Sequence, residues 1–462
     1  LSVLLFRKSL LACSVSALSL ASPSVLSNDL FNTGNSFIDD ASLSGKLRTV
    51  YYNIKNTEKS SKDNRDLTGA WTGAVWLDLK SGYLNDFFAI GASAYGVAKI
   101  DTLRDVGSNR SNQLLLDDNK GYTQVKQLWA DLKYGDKEQG FNGHVKLGRQ
   151  IIYNGLISSS GSRSAPTTWQ GVNFEAEYFG TEIGLAWVNQ ISLRNTDEFK
   201  DLTNFNDKKI DYIWGAEVAR KFQLPNDQSI KVKYRNAFSK DYLQAHNVGV
   251  KWTMPLVEEM KLSLGGKVYY TKKNGDLWNK TAWYAPAFDD NATVGSLFAE
   301  LSSEDWTLEA AVTKTKAESS LLNYKNGYTA PGKYYYDFGK NTHGIWDIPT
   351  SAFAEDFYYD NELAWMLGVT LDMTKTGLPG LTLGYAYTHG SDFDVKDKQG
   401  NKSSVTEHEH DFLVQYKFPE PLKGLKFKLK YGMYRNDEKL RKAIGKEEND
   451  LRVWLDYKFV LF

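Results

Sequence analysis

Apolar and polar residues alternate with a period of two through most of the chain from Ala41 onward. In residues 71–80 the odd positions, Trp71, Gly73, Val75, Leu77 and Leu79, are apolar or glycine, and the even ones include Asp78 and Lys80. Leu425, Phe427, Leu429, Tyr431 and Met433 alternate with Lys426, Lys428 and Lys430. Leu451, Val453, Leu455, Tyr457, Phe459 and Leu461 alternate with Arg452, Asp456 and Lys458. Successive side chains of a strand point to opposite faces, so each run predicts one apolar face and one wet face. No stretch from Ala41 onward approaches the roughly 18 consecutive apolar residues of a membrane helix.

A soluble sandwich alternates in the same way, and the connections separate the two readings. About eighteen candidate strands, each near the roughly 9–11 residues of a tilted membrane strand, can be placed. They start near residues 41, 70, 86, 122, 141, 170, 181, 210, 228, 243, 258, 291, 305, 361, 380, 408, 423 and 449. The links at 82–86, 134–140, 179–181, 224–227, 254–258, 302–305, 374–380 and 418–423 are short. The other set, at 55–69, 102–121, 152–169, 191–209, 273–290, 316–360, 390–407 and 435–448, is mostly long and polar. Short turns on one side and long loops on the other predict an all-β chain. They specify a transmembrane antiparallel β-barrel with short periplasmic turns, long extracellular loops, both termini in the periplasm and an even strand count.

Composition changes the picture only modestly. A mean hydropathy of -0.46 would suit a large soluble protein, but 14% aromatic residues against only 10 prolines favour long strands with aromatic rims. The 56 basic and 56 acidic residues balance, which argues against a nucleic-acid binder. Arg7 and Lys8 precede a small-residue apolar run from Leu10 to Ala21, so residues 1–27 read as a signal peptide. Residues 28–40 then form a short periplasmic lead to a single barrel domain, 41–462. Cys13 is the only cysteine and falls within that leader. An exported chain without a disulfide is expected to rely on closed backbone pairing. The last strand ends at Phe462, and a terminal aromatic residue is a signal read by the outer-membrane assembly machinery.

Several segments resemble the OprD-type family of outer-membrane porins, from the start of the barrel to its end. Residues 37–53, FIDDASLSGKLRTVYYN, resemble its opening strand, and 77–83, LDLKSGY, its next turn. Residues 160–171, SGSRSAPTTWQG, are similar to the family's constriction loop, with Gly161 where the family usually has Asp. Residues 377–381, GLPGL, and the pair 434–437, YRND, with 449–452, NDLR, resemble its closing turns. The resemblance implies an eighteen-stranded barrel with a narrow, partly basic pore and an inward constriction loop near 152–169 carrying Ser160, Ser162, Arg163 and Ser164. Arg163 is then the cation at the narrowest point.

Parity assigns the wet face. Lys46 and Arg48 in the first strand, Lys426, Lys428 and Lys430 in the seventeenth, and Arg452 and Lys458 in the eighteenth share it, and barrel closure makes these strands neighbours. The resemblance implies that this basic wall guides carboxylate-bearing solutes, whereas lumen charge alone would only keep the pore wet. Asp78, Asp131, Asp372 and Asp456 fall on the same parity and could pair with it. The loop 316–360 is dense in aromatic rings, among them Tyr334, Tyr335, Tyr336 and Trp346; with Trp278 and Trp283 it forms either a sugar-stacking vestibule or packing over the pore mouth.

Passive diffusion of small polar solutes, chiefly carboxylate-bearing nutrients, is the expected function. Residues 277–283 and 377–381 also look like segments of the chitoporin branch of the same family, which leaves chito-oligosaccharide uptake as an alternative. A barrel enzyme is the remaining class, but no G-x-S-x-G, H-E-x-x-H or phosphate-loop motif is present. His408 and His410 on one strand cannot close a metal site alone. No catalytic residue, cofactor or metal is expected. The expected partners are outer-membrane lipid and lipopolysaccharide, the assembly machinery and small polar solutes, with no nucleic acid.

Overall fold

The computed structural model describes residues 33–57, 67–103, 110–257, 259–278, 287–320, 324–340 and 342–462. Eighteen long strands run antiparallel in chain order: β1 (Ser42–Asn56), β2 (Ala70–Lys80), β3 (Phe88–Thr102), β4 (Tyr122–Asp136), β5 (Phe141–Gln150), β6 (Thr168–Tyr178), β7 (Thr181–Ser192), β8 (Ile213–Gln223), β9 (Ser229–Ser239), β10 (Leu243–Pro255), β11 (Lys261–Lys273), β12 (Asn291–Ser302), β13 (Trp306–Lys316), β14 (Leu363–Asp372), β15 (Leu381–Asp397), β16 (Lys402–Lys417), β17 (Leu425–Asn436) and β18 (Glu448–Val460). The last strand pairs with the first from Ser44↔Val460 to Asn56↔Glu448, so the sheet closes and no edge remains. The helices among the described residues are α1 (Ser36–Asp39), α2 (Glu438–Ile444) and one turn of 3-10 helix at Thr374–Thr376, and none is long or apolar enough to cross a membrane.

Turns on one side are tight. Phe179 and Gly180 join β6 to β7 with φ of 43° and 75°, the left-handed pair that a two-residue hairpin demands. On the other side the links are long, and residues 151–167, 332–340 and 342–359 turn inward. The apolar stripe faces out: Val75, Leu77, Leu79, Val248, Leu297 and Leu367 are all exposed on the outer surface. In water such a band would invite aggregation, and in a bilayer it is what the hydrocarbon requires.

The largest buried apolar cluster lies inside the barrel. Ile152, Leu156 and Ile157 from one inward loop and Tyr334, Phe338 and Ile348 from the other pack on Val188, Ile191, Ile213, Leu243 and Tyr269 of the inner wall. The segment 390–407, read as a polar loop, is instead strand. β15 runs to Asp397 and β16 begins at Lys402 rather than near 408. A bulge between Gly390 and Phe393 re-aims the hairpin so that Phe393, Val395 and Val405 pack on Tyr359 and Leu440. The expected signal peptide, 1–27, lies outside the described residues. From the 28–40 lead, α1 docks on the first turn, with Ser36 Oγ donating to the Tyr83 carbonyl at 2.7 Å.

Candidate functional site

The inner faces of β17, β18 and β1 carry the cations predicted by parity. Arg48 makes a two-pronged ion pair with Asp456, both contacts 2.7 Å, and its Nη1 donates to the carbonyls of Gly161 and Arg163 at 2.7 and 2.8 Å. Arg452 pairs with Asp450 on its own strand and lies over the Phe353 ring, 4.3 Å from its centroid. Lys46 sits 3.0 Å above Trp76, Lys428 5.5 Å from Trp454 and Lys430 4.8 Å from Phe353. Register places Lys426 opposite Asp456 and Lys46 opposite Lys458. Among the described residues, none of these five lysines makes an ion pair. Asp131 on β4 bonds instead to His144, at 3.2 Å.

A second basic row, not singled out from sequence, lines the far side. Lys231, Lys233 and Arg235 alternate along β9 as Lys426, Lys428 and Lys430 do along β17, so the same parity argument would have found them. Here each cation has an acid. Lys231 meets Glu182 at 3.2 Å, Lys233 Glu217 at 2.6 Å, Lys251 Glu300 at 3.2 Å, and Arg235 and Lys267 share Asp347 at 3.0 and 3.2 Å.

Between the walls, two loops meet. Residues 151–167 and the segment around His343 are joined by backbone bonds from Ser158 N–H to the His343 carbonyl, 3.1 Å, and from Ile345 N–H to the Leu156 carbonyl, 2.9 Å. The first loop is strapped to the wall. Tyr52 hydroxyl and Trp454 Nε1 both donate to the Ser162 carbonyl, at 2.6 and 3.0 Å, and Trp76 Nε1 donates to the Ser164 carbonyl at 2.8 Å. The second is held by β16, whose Glu409 carboxylate accepts the N–H groups of Ala354 and Glu355 at 2.6 and 3.0 Å.

Arg163 does not project into the open passage. It is 6% exposed. Its Nε and Nη2 donate to the carbonyl and side chain of Asn112 at 2.8 and 2.7 Å, and Nη1 to the Tyr52 hydroxyl and Ser162 Oγ, both at 3.0 Å. Ser164 Oγ donates to the Leu114 carbonyl. These residues knit loops together. A second guanidinium, that of Arg194 on the loop after β7, lies beside the same loop. Its Nε donates to Gln113 at 2.7 Å and Nη1 to Ser160 at 2.8 Å and Ser162 at 3.3 Å, and among the described residues no carboxylate lies within ion-pair distance of it. Lys126 and Tyr122 of β4 position it by donating to the carbonyls of Leu193 and Arg194, at 2.6 and 2.5 Å. Burial and the neighbouring Arg163 lower its pKa well below the usual guanidinium value. Nothing in the local sequence distinguished Arg194 from any loop arginine.

The aromatic rings are largely consumed in packing. Trp346 stacks between Tyr334 and Tyr336 at 4.9 and 5.1 Å, and Trp278 stacks on Phe288 at 4.8 Å with Tyr335 5.6 Å away. Trp283 lies outside the described residues. His408 and His410 point outward, away from the inner wall, and no group of three or more His, Cys, Asp or Glu among the described residues is placed to hold a metal.

A closed barrel with an apolar outer band, a charged interior and two loops folded into it defines a pore of the bacterial outer membrane. The chain belongs to the OprD family of outer membrane porins, whose family model matches residues 35–461. It is 22% identical over 446 residues to Porin D of Pseudomonas aeruginosa, covering 91% of each chain. To the porin-like protein GalP of Pseudomonas putida it is 23% identical, covering 87% of this chain and 88% of that one. Among solved structures it resembles OccAB1 of Acinetobacter baumannii, with a TM-score of 0.73, 19% identity and coverage of 92% and 98%. It also resembles Pseudomonas aeruginosa OpdK, solved with vanillate, with a TM-score of 0.67, 18% identity and coverage of 92% and 100%. Family and fold are those of a channel rather than an enzyme, and these relatives lend no support to the chito-oligosaccharide alternative.

Proposed function

We propose that this porin passes small carboxylate-bearing nutrients by passive diffusion, and that Arg194 and the wall Lys46, Lys426, Lys428, Lys430 and Lys458 make the path. The observation that carries the reading is the asymmetry of the interior. On β9 to β11 every cation named above is neutralised by an acid, whereas none of the five lysines of β17, β18 and β1 makes an ion pair among the described residues, Asp456 and Asp450 being engaged by Arg48 and Arg452. On this reading an anion entering the barrel meets a net positive field along one wall and, beside the inward loop, a guanidinium whose Nη2 has no hydrogen bond among the described residues. A guanidinium binds a carboxylate through charge-assisted bonds without needing a neighbouring group to change its protonation. Release is fast because the next lysine along the wall offers a similar site, the multi-site condition that conduction requires. Arg163 serves this path indirectly, by fixing the loop that carries Ser160 and Ser162 against Arg194. That OpdK was solved with vanillate, an aromatic carboxylate, supports the substrate class.

Single-channel recording tests the reading. Benzoate is expected to interrupt the current, and benzyl alcohol, equal in size but neutral, to leave it unchanged. Arg194→Gln should weaken the benzoate block about tenfold, the loss of one charge-assisted contact. Equal effects of the two solutes on the wild type would overturn the proposal.

A further inference from the structure

Outside the barrel, His389, His408 and Arg435 stand side by side on three neighbouring strands. His389 is the cross-strand partner of His408, and His408 that of Arg435. Arg435 Nη2 donates to Asn449 Oδ1 at 2.7 Å, and Asn449 is in turn the partner of Lys55 on β1. The direction of these side chains follows from the residues between them. Thr388, Glu407 and Tyr434 are buried in the inner wall, so their neighbours His389, His408 and Arg435 face outward.

The level of the row follows from what lies beneath it. One register step toward the periplasm, Tyr387 and His410 pack at 4.9 Å, and below them Tyr385 and Phe412 pack at 5.2 Å, with Trp365 flanking His389 at 5.8 Å. Lower still are Leu383, Val414 and Leu429. This order, apolar band, aromatic belt, then cations on the long-loop side, places the row where the outer-leaflet headgroups lie. Glu447, which precedes β18, is already paired with Arg441 at 2.7 Å. Among the described residues His389, His408 and Lys55 have no hydrogen bond or ion pair of their own, and Arg435 contacts only carbonyl and amide oxygens.

From this geometry we propose that Lys55, Arg435, His408 and His389 form a binding site for the phosphate groups of the outer leaflet's phosphorylated glycolipid. Arg435 and Lys55 supply charge, the imidazole N–H groups of His408 and His389 donate hydrogen bonds, and the belt of rings beneath receives the acyl chains. No group in the row changes its covalent state.

The full barrel, purified free of lipid in neutral detergent, is mixed with bis-phosphorylated lipid A, with the same lipid after enzymatic dephosphorylation, and with inorganic phosphate, and bound lipid is counted by native mass spectrometry. Each interfacial cation is worth a factor of about five against anionic headgroups, so Arg435→Gln alone should weaken retention about fivefold and Lys55→Gln with Arg435→Gln about 25-fold. Lys272→Gln, on the distant outer face of β11, should leave it unchanged. Dephosphorylated lipid should bind the wild type and the double variant equally weakly, and inorganic phosphate at the lipid's own concentration should displace nothing. Wild-type retention by the double variant, or tight binding of the dephosphorylated lipid, would overturn the site; displacement by inorganic phosphate would make it a site for a soluble anion and equally overturn the lipid assignment. Unchanged single-channel conductance of both variants shows that the barrel is folded.

Discussion

Replacing Lys426, Lys428 and Lys430 together by glutamine removes three positive charges from one face of β17 while keeping length and polarity. Residues two apart on a strand are about 6.8 Å apart. An anion passing about 6 Å from the middle ammonium gains about 0.7 kcal/mol in a water-like medium, and screening at physiological salt leaves about half of that. The two flanking lysines, then about 9 Å away, add about 0.15 kcal/mol each after the same screening. The sum, about 0.65 kcal/mol, favours an anion by a factor of about three and disfavours a cation by the same factor. The anion-to-cation permeability ratio should therefore fall about ninefold in the triple variant. The low-dielectric wall strengthens the field, while the ring faces of Trp454 and Phe353 beside Lys428 and Lys430 partly offset it. The assay is the reversal potential across a planar bilayer under a salt gradient, repeated at high salt, where the difference should shrink. A reversal potential that is the same for wild type and triple variant at low salt would show that these lysines only hydrate the lumen, and the argument from their missing acid partners would fail.

Two other outcomes follow from the constriction. Arg163→Ala leaves the Asn112 oxygens and the Tyr52 hydroxyl without a donor and should cost about 3 kcal/mol of stability; because the loop then loosens from β1, conductance should also rise, and a variant with wild-type conductance and unfolding temperature would refute the strapping role. Asp337, on the loop around His343, has its pKa pushed up to about 7 by burial, with the Gly344 N–H at 3.4 Å as its bond and Arg194 and Lys333 partly offsetting the shift. It is therefore protonated below that value and gains a negative charge as pH rises through it, so anion preference should decline between about pH 6 and 8, and Asp337→Asn should flatten that profile. A decline that persists in the asparagine variant would place the titration elsewhere.

The barrel was legible because its signals are local. Period-two alternation and the difference between tight and long links put most strand starts within a few residues of those observed, as at Ala70, Tyr122, Phe141 and Asn291. The exception is instructive. The stretch 390–407 is rich in Asp, Lys, Gly and Asn and reads as a loop, yet Phe393, Val395 and Val405 hold a strand there because Tyr359 and Leu440, distant in sequence, cover them. The site was legible to the depth of parity. Alternation shows on which face Lys428 or Lys231 lies, but whether an acid waits across the strand depends on register, and register is fixed only by the closed sheet. Arg163 and Arg194 mark the limit. A motif names the loop that turns inward, whereas which of two arginines keeps a donor free is decided by Asn112, Tyr52 and Gln113, contributed by other elements.

An eighteen-strand barrel encloses a lumen wide enough for an open aqueous channel, so selectivity has to be built inside it. Folding loops inward carries a cost, since every backbone polar group they bring must find a partner away from bulk water. Here the cost is offset in two ways. Apolar side chains of both loops, Leu156, Ile157, Phe338 and Ile348, bury against β7 to β11, and donors and acceptors on β1, β2, β16 and β18 satisfy the exposed main chain. The anchors therefore occupy two sectors of the wall, apolar on one side and hydrogen-bonding on the other, and each loop crosses only part of the bore. By register Lys426 stands level with Arg48, Lys428 with Trp454 and Lys430 with Tyr52, beside the residues that grip 161–164, and Lys46 and Lys458 lie a step closer to the periplasm. Among the described residues none of these five lysines makes an ion pair. Charge alone would not require this, because Lys231, Lys233 and Lys251 are equally basic and carry acids. The acids of this wall, Asp456 and Asp450, are engaged by Arg48 and Arg452, and the proposed preference for anions rests on the lysines left beside those pairs.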